Sequence, residues 1–285
     1  MTPTEKRKRL RAILAGQKLM SPATVFDALS ARVAESVGYE IGILSGSVCA
    51  ATMLAAPDMA LQTLTEFADQ IRRVTRAGNL SIFVDADQGY GNALNAMRTV
   101  EELEHAGLAG LAIEDLHMPS RFGAGGVDEL ISIGEMTGKL RAALSARRDP
   151  ELLIAARTAS VKIGKMDDVV ARVRAYAATG VDAVFITGLQ TLEQLDAVRA
   201  AIKLPIIVGT ALHHKREDLA ARGVRFCLQG HGAVAGTVKA LRDIYTHMYN
   251  GGSPADLKPR FATPEEMSRL LGAERYAKLR EEFLQ

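Results

Sequence analysis

Cysteine is scarce: the chain has two in 285 residues, Cys49 and Cys227, and both fall in apolar stretches rather than at framework spacings. That excludes a disulfide scaffold and makes a reducing compartment the simpler reading. Charge of one sign is lacking too, with Lys plus Arg at 35 against Asp plus Glu at 33. No global field argues for a nucleic-acid partner, and the basic opening from Lys6 to Arg11 reads as a solvated helix face. Apolar runs stay short of the ~18 residues a membrane helix needs, and the N-terminus has no signal-peptide core. The expectation is a cytoplasmic protein that engages neither nucleic acid nor membrane. The G-x-G-x-x-G turn of a dinucleotide-binding open sheet is also missing after the first apolar run.

What is present, 48% hydrophobic and 24% charged residues, can bury a large core. Eight short apolar runs recur: Pro22 to Phe26, Ile41 to Leu44, Ser81 to Val84, Leu108 to Ile113, Leu152 to Ala155, Ala183 to Ile186, Pro205 to Val208 and Arg225 to Leu228. Between them lie helical patterns such as Leu64 to Ala77, Ala93 to Ala106 and Ile133 to Ala146. Continuously apolar strands alternating with helices imply a parallel sheet covered on both faces, and eight units fit a (β/α)8 barrel of the TIM type. The barrel is expected over residues 1–250. A helical extension, 251–285, follows the Gly251-Gly252 and Pro254 break.

Polar residues follow the apolar runs, where barrel active sites gather: Asp27, Ser45-Gly46-Ser47, Asp85-Ala86-Asp87, Glu114-Asp115, Arg157-Thr158 and Gly230-His231. In an extended strand Asp85 and Asp87 point to one side, and Gly89-Tyr90-Gly91 then ends the strand. With Glu114 they supply three hard oxygen donors suited to Mg2+, with Mn2+ as the alternative. The competing reading is a hydrogen-bonded pair that caps the strand. Arg157, ending an apolar strand, needs an anion, either a substrate carboxylate or Glu114 or Asp115. Ser45-Gly46-Ser47 offers backbone N–H groups and hydroxyls to a carboxylate or an oxyanion. His231 suits substrate contact or proton transfer, against a purely structural role. Met53, Met59 and Met97 read as core fillers.

Taken in order, Ala23 to Asp27, Gly42 to Val48, Leu54 to Asp58, Asp85 to Asn95, Ile113-Glu114-Asp115, Ala156-Arg157-Thr158 and Gly230-His231 form a longer signature. At these residues the chain resembles the phosphoenolpyruvate mutase/isocitrate lyase superfamily, and within it the oxaloacetate decarboxylase branch, over most of the chain to about Asn250. The resemblance implies a barrel whose last helix is exchanged between subunits in a dimer of dimers, a homotetramer, with Mg2+ binding a 2-oxo carboxylate. It makes Asp85 the direct metal ligand, with Asp87 and Glu114 holding the metal through water and Asp58 in the outer shell. Ser47 and Arg157 would bind the pyruvoyl carboxylate or its oxyanion, and His231 would contact the substrate.

There are departures from that pattern. The stretch from Leu116 to Gly126 has none of the cysteine or lysine of the gating loop in the C–C lyases, which disfavours isocitrate or methylisocitrate cleavage. Gln88 stands where a histidine is common, and Ala211 where this branch has a tyrosine, so a bulkier 2-oxo acid would fit. The resemblance points to Mg2+-dependent decarboxylation of oxaloacetate, or a close 2-oxo dicarboxylate, to pyruvate and CO2 through a metal-stabilised enolate. A C–C bond lyase acting on a substituted malate and a non-catalytic 2-oxo acid binding barrel are the alternatives.

Overall fold

The apolar runs become strands because both of their faces are covered. In the computed structural model, which describes residues 1–211 and 213–284 and leaves Leu212 and Gln285 outside, eight parallel strands form one sheet in chain order. They are β1 (Ala23–Thr24), β2 (Ile41–Leu44), β3 (Ser81–Asp85), β4 (Gly110–Glu114), β5 (Leu153–Thr158), β6 (Ala183–Ile186), β7 (Ile206–Val208) and β8 (Val224–Cys227). Met20, just before β1, joins the two edges: its N–H donates to Arg225 O at 2.8 Å and its carbonyl accepts from Cys227 N–H at 3.0 Å. The sheet is thereby an α/β barrel, as its sequence pattern requires.

The helices on the outside carry the expected periodicity and start on the expected signals. Leu64–Ala77 begins at a Thr63–Glu66 capping box and buries Phe67, Ile71 and Val74, four and three residues apart. Inside the ring, Phe83 and Phe226 meet edge to face with centroids 6.3 Å apart, among Ile43, Leu153, Phe185 and Ile207. Truncating either ring to alanine would cost roughly 3–5 kcal/mol. The floor of the barrel is thus packed, which leaves the C-terminal strand ends as the place for chemistry.

Several expectations fail for clear reasons. The basic opening is not a solvated face, since Lys6 and Arg7 are buried in the helix Pro3–Ala15. Lys6 Nζ donates to the carbonyls of Thr75 (2.8 Å) and Gly78 (2.6 Å), and Arg7 to those of Leu108 (3.0 Å) and Glu104 (2.9 Å). Carbonyls at helix C-termini have no partner within the helix, and cations satisfy both their lone pairs and the negative end of the dipole. Asp27 is a helix N-cap, accepting from Ser30 N–H at 2.6 Å, and Met59 is exposed rather than a core filler. The tail divides at Gly272 (φ 70°) into helices Pro264–Leu271 and Ala273–Phe283, and Leu270 O accepts from Arg32 Nη1 at 2.6 Å.

The helix that follows β8, Gly232–Tyr249, buries none of its side chains and leaves Val238, Leu241 and Tyr245 exposed at three- and four-residue spacing. Beside β1 runs an apolar groove of about 630 Å3, lined in part by Leu29, Val33 and Val37 of the helix Ala28–Val37. Among the described residues no helix is long and apolar enough to cross a membrane.

Candidate active site

Strand β3 ends at Asp85, so strand alternation does not deliver Asp87. Asp87 instead adopts a left-handed backbone (φ 47°), and so does Tyr90 (φ 60°), a conformation that costs energy outside glycine. The turn swings the Asp87 carboxylate onto the segment after β2. A Cβ added to Gly46 would lie 2.3 Å from Asp87 Oδ1, so only glycine permits the approach. Ser45 caps the short helix Gly46–Cys49 through Val48 N–H at 3.2 Å and lies 2.9 Å from Ser47 Oγ.

Arg157, ending β5, reaches across the barrel mouth. Its Nη1 donates to Asp85 Oδ2 and lies 3.1 Å from Glu114 Oε2, an ion pair without hydrogen-bond alignment. The guanidinium carbon sits 5.3 Å from the centre of the Phe185 ring. The side-chain oxygens Asp85 Oδ1 and Glu114 Oε2, together with Arg157 Nε, are buried and have no hydrogen-bond partner.

Asp58, Asp85, Asp87 and Glu114 act on one another's charge against the single Arg157. Burial first, and then Asp85, Glu114 and Asp58, hold the Asp87 carboxyl well above the ordinary range. Burial also lifts Glu114 to about 7, with Arg157 opposing and Asp85 and Asp115 reinforcing. Asp58, at the solvent-accessible rim, is raised by partial burial and by Asp85. This excess of buried negative charge, with unpartnered oxygens in it, fits a hard divalent cation held by Asp85, Asp87 and Glu114. Among the described residues no three such donors form a cluster: Asp85 and Glu114 turn towards Arg157, and Asp87 towards Gln62.

The contacts of three side chains around the site escape a sequence reading. Gln62 Nε2 donates to Asp87 Oδ2 at 3.3 Å from a loop with no periodic signal. Gln88, the residue after Asp87, donates to Met118 O at 2.9 Å, tying the turn after β3 to the 116–128 loop. Asp115, next to Glu114, is fully buried and accepts at Oδ2 from Tyr176 (2.7 Å), Thr158 (2.8 Å) and Arg172 (3.1 Å). This network clamps the ends of β4 and β5, which carry Glu114 and Arg157. Its donors come from β5 itself and from the helix Met166–Ala177, where the sequence offered only a helix face.

His231 stands at the N-terminal end of the helix Gly232–Tyr249, its Nε2 3.3 Å from Ser45 Oγ and 3.4 Å from Ser47 Oγ. Partial burial lowers its pKa, against the pull of Asp85 and Asp58. The structure therefore gathers Ser45, Gly46, Ser47, Asp85, Asp87, Glu114, Arg157 and His231 at one end of the barrel. Ala211 is buried and apolar at the end of β7. Outside this set, His213 and His214 both donate to the Gln190 carbonyl, at 2.9 and 3.1 Å.

Known proteins share this arrangement. Residues 10–249 match the family model of phosphoenolpyruvate phosphomutase. An oxaloacetate decarboxylase of Bradyrhizobium sp. strain BTAi1 is 48% identical over 260 residues, 90% of either chain. Among solved structures, phosphoenolpyruvate phosphomutase from Streptomyces platensis subsp. rosaceus superposes with a TM-score of 0.88 at 27% identity, covering 98% of this chain and 99% of that one. Phosphonopyruvate hydrolase in complex with oxalate and Mg2+ superposes at 0.87 and 26% identity over 100% of both chains. With its strands in barrel order and its carboxylates gathered at their C-terminal ends, the chain belongs to the phosphoenolpyruvate phosphomutase family of enzymes.

Proposed function

We propose that the chain decarboxylates oxaloacetate, or a close 2-oxo dicarboxylate, to pyruvate and CO2, with Mg2+ held by Asp85, Asp87 and Glu114. The observation that carries this reading is the set of buried carboxylates with unpartnered oxygens beside Arg157. The relatives named oxaloacetate decarboxylase support the choice of substrate. When bound, the metal supplies positive charge against which the 2-oxo oxygen turns anionic.

The residues of the chain do the rest. Arg157, released from Asp85 and Glu114, offers its fork to the substrate's 1-carboxylate. The N–H groups and hydroxyls of Ser45–Ser47 face the developing oxyanion. As the C3–C4 bond breaks, its electrons pass into the 2-oxo group and CO2 departs, so the step needs no general base. C3 of the enolate then takes up a proton from water. The 116–128 loop has neither the cysteine nor the lysine that a C–C lyase would use as its acid or base.

The groove beside β1, walled in part by Gly232, Ala233 and Thr237, and the exposed apolar side chains farther along the helix Gly232–Tyr249 are both uncovered in one chain. We read them as the two halves of a helix exchange between copies of this chain.

The deciding experiment is CO2 and pyruvate production from oxaloacetate with and without Mg2+, in wild type and Asp85→Ala, corrected for the reaction catalysed by free metal. Saturable turnover that Asp85→Ala abolishes is the expected result. A wild-type rate no higher than free Mg2+ overturns the reading.

A further inference from the structure

The ring of His231 lies between hydroxyl groups on both sides. Its Nδ1 is 3.5 Å from Thr24 Oγ1 on β1, while Nε2 faces Ser45 and Ser47. In a neutral imidazole one nitrogen carries the proton, and the partner of either nitrogen decides which.

The partners' proton count points to one tautomer. Thr24 has a single hydroxyl proton, and the Gly230 carbonyl, 2.9 Å away and able only to accept, takes it. Towards Nδ1 the threonine oxygen can therefore only accept, an arrangement that matches a ring proton on Nδ1. Nε2 is left with a lone pair facing the serines. The serine pair is consistent with this: Ser45 Oγ already accepts from Val48 N–H, which directs its own proton outward to Ser47 or to the ring.

We propose that Thr24 is a positioning residue, one that holds His231 as the Nδ1–H tautomer so that Nε2 accepts a hydroxyl proton from the Ser45–Ser47 pair. The role deepens the proposed decarboxylation and rests on it for placing a substrate beside Ser47. With Ser45 donating to Nε2, the Ser47 hydroxyl is free to turn its proton to an anionic oxygen of the substrate. In this state the ring offers no N–H of its own to the site. His231 then acts through the serine that it orients, not as the proton donor.

The test reads the tautomer directly, by 15N NMR of histidine-labelled protein, with His231→Asn assigning the resonance among the six histidines. The expected spectrum has a protonated Nδ1 and an unprotonated Nε2 in wild type and in Thr24→Ser, and loses that pattern in Thr24→Val. Alongside it, kcat/KM for oxaloacetate falls by about tenfold in Thr24→Val, the scale of losing a partner that orients a functional imidazole, and recovers in Thr24→Ser. A wild-type ring protonated at Nε2, or an unchanged tautomer in Thr24→Val, overturns the inference. So does a changed tautomer with unchanged kcat/KM. The spectra need no turnover, so the expected tautomers in a protein that fails to decarboxylate oxaloacetate would support the Thr24 assignment and overturn only the activity.

Discussion

Arg157 Nη1 donates to Asp85 Oδ2 while the other oxygen of the same carboxylate is buried without a partner. On the proposed reading, the guanidinium and a metal would compete for this one group. Arg157→Met removes the competitor, and Mg2+ affinity is expected to rise by about tenfold while oxaloacetate turnover is lost, because unpaired buried carboxylates favour a cation. The metal-free variant should melt earlier than wild type and regain the difference when Mg2+ is added. Isothermal titration and thermal melts with and without Mg2+ measure both effects. Weaker Mg2+ binding in the variant would show that Arg157 supports the metal instead of opposing it.

Gly46 makes a second prediction through the Cβ it lacks. Gly46→Ala places a methyl group 2.3 Å from where Asp87 Oδ1 now lies, so the carboxylate or the helix start must move. Mg2+ affinity should fall by about 10-fold or more, as for the loss of groups that orient metal ligands, with global stability down by only ~1–3 kcal/mol. Calorimetry and urea unfolding separate the two.

Tyr176 tests the clamp behind the site. Its hydroxyl donates to Asp115 Oδ2 at 2.7 Å and accepts from Arg172 Nη1 at 3.0 Å. Tyr176→Phe should cost about 1–3 kcal/mol, because it leaves a buried charged network short of a partner. Chemical denaturation at neutral pH would register this, and a change smaller than about 0.3 kcal/mol would count against the network as a support.

Acid stability should depend on Asp149, half-buried near the barrel floor. Burial works against its charge, but hydrogen bonds from Arg7, the Glu151 backbone and Thr4 outweigh it and hold the carboxyl at about 2. A carboxyl depressed in the folded state stabilises above the unfolded value near ~3.9, and that contribution disappears as pH falls towards about 2. Asp149→Asn should therefore lose about 1 kcal/mol at neutral pH, allowing for solvent screening, and match wild type near the bottom of that window. Unfolding free energies across the window check the sign.

Assembly supplies the last prediction. If the helix Gly232–Tyr249 lies in another copy's groove, Leu241→Asp places a charge in an apolar contact and should shift the chain to monomers in light scattering. A wild-type monomer at micromolar concentration would dispose of the exchange.

The strands and the helix faces were legible because burial on both faces of a strand, or one face of a helix, leaves its mark on residue order. Leu64–Ala77 and Ile133–Ala146 have the limits that periodicity suggests. The site residues were legible at strand ends, where a charge that interrupts an apolar run costs desolvation and packing gives no return for it. Asp87 was found by a wrong geometry: alternation placed it beside Asp85, whereas a left-handed turn brings it over Gly46. Gln62, Thr24 and Tyr176 were illegible because each acts through a partner distant in sequence, and no local pattern records which polar residue will meet which. The buried Lys6 and Arg7 were misread for the same reason, since their partners are carbonyls that composition cannot reveal.

The Met20 junction has a consequence for how the chain is made. The first edge of the sheet emerges from the ribosome long before Arg225 and Cys227 exist to pair with it. Until then the nascent sheet has an open edge, the surface on which one chain can add to another. Closure has to wait for the last strand, which favours slow maturation and a dependence on chaperones at high expression.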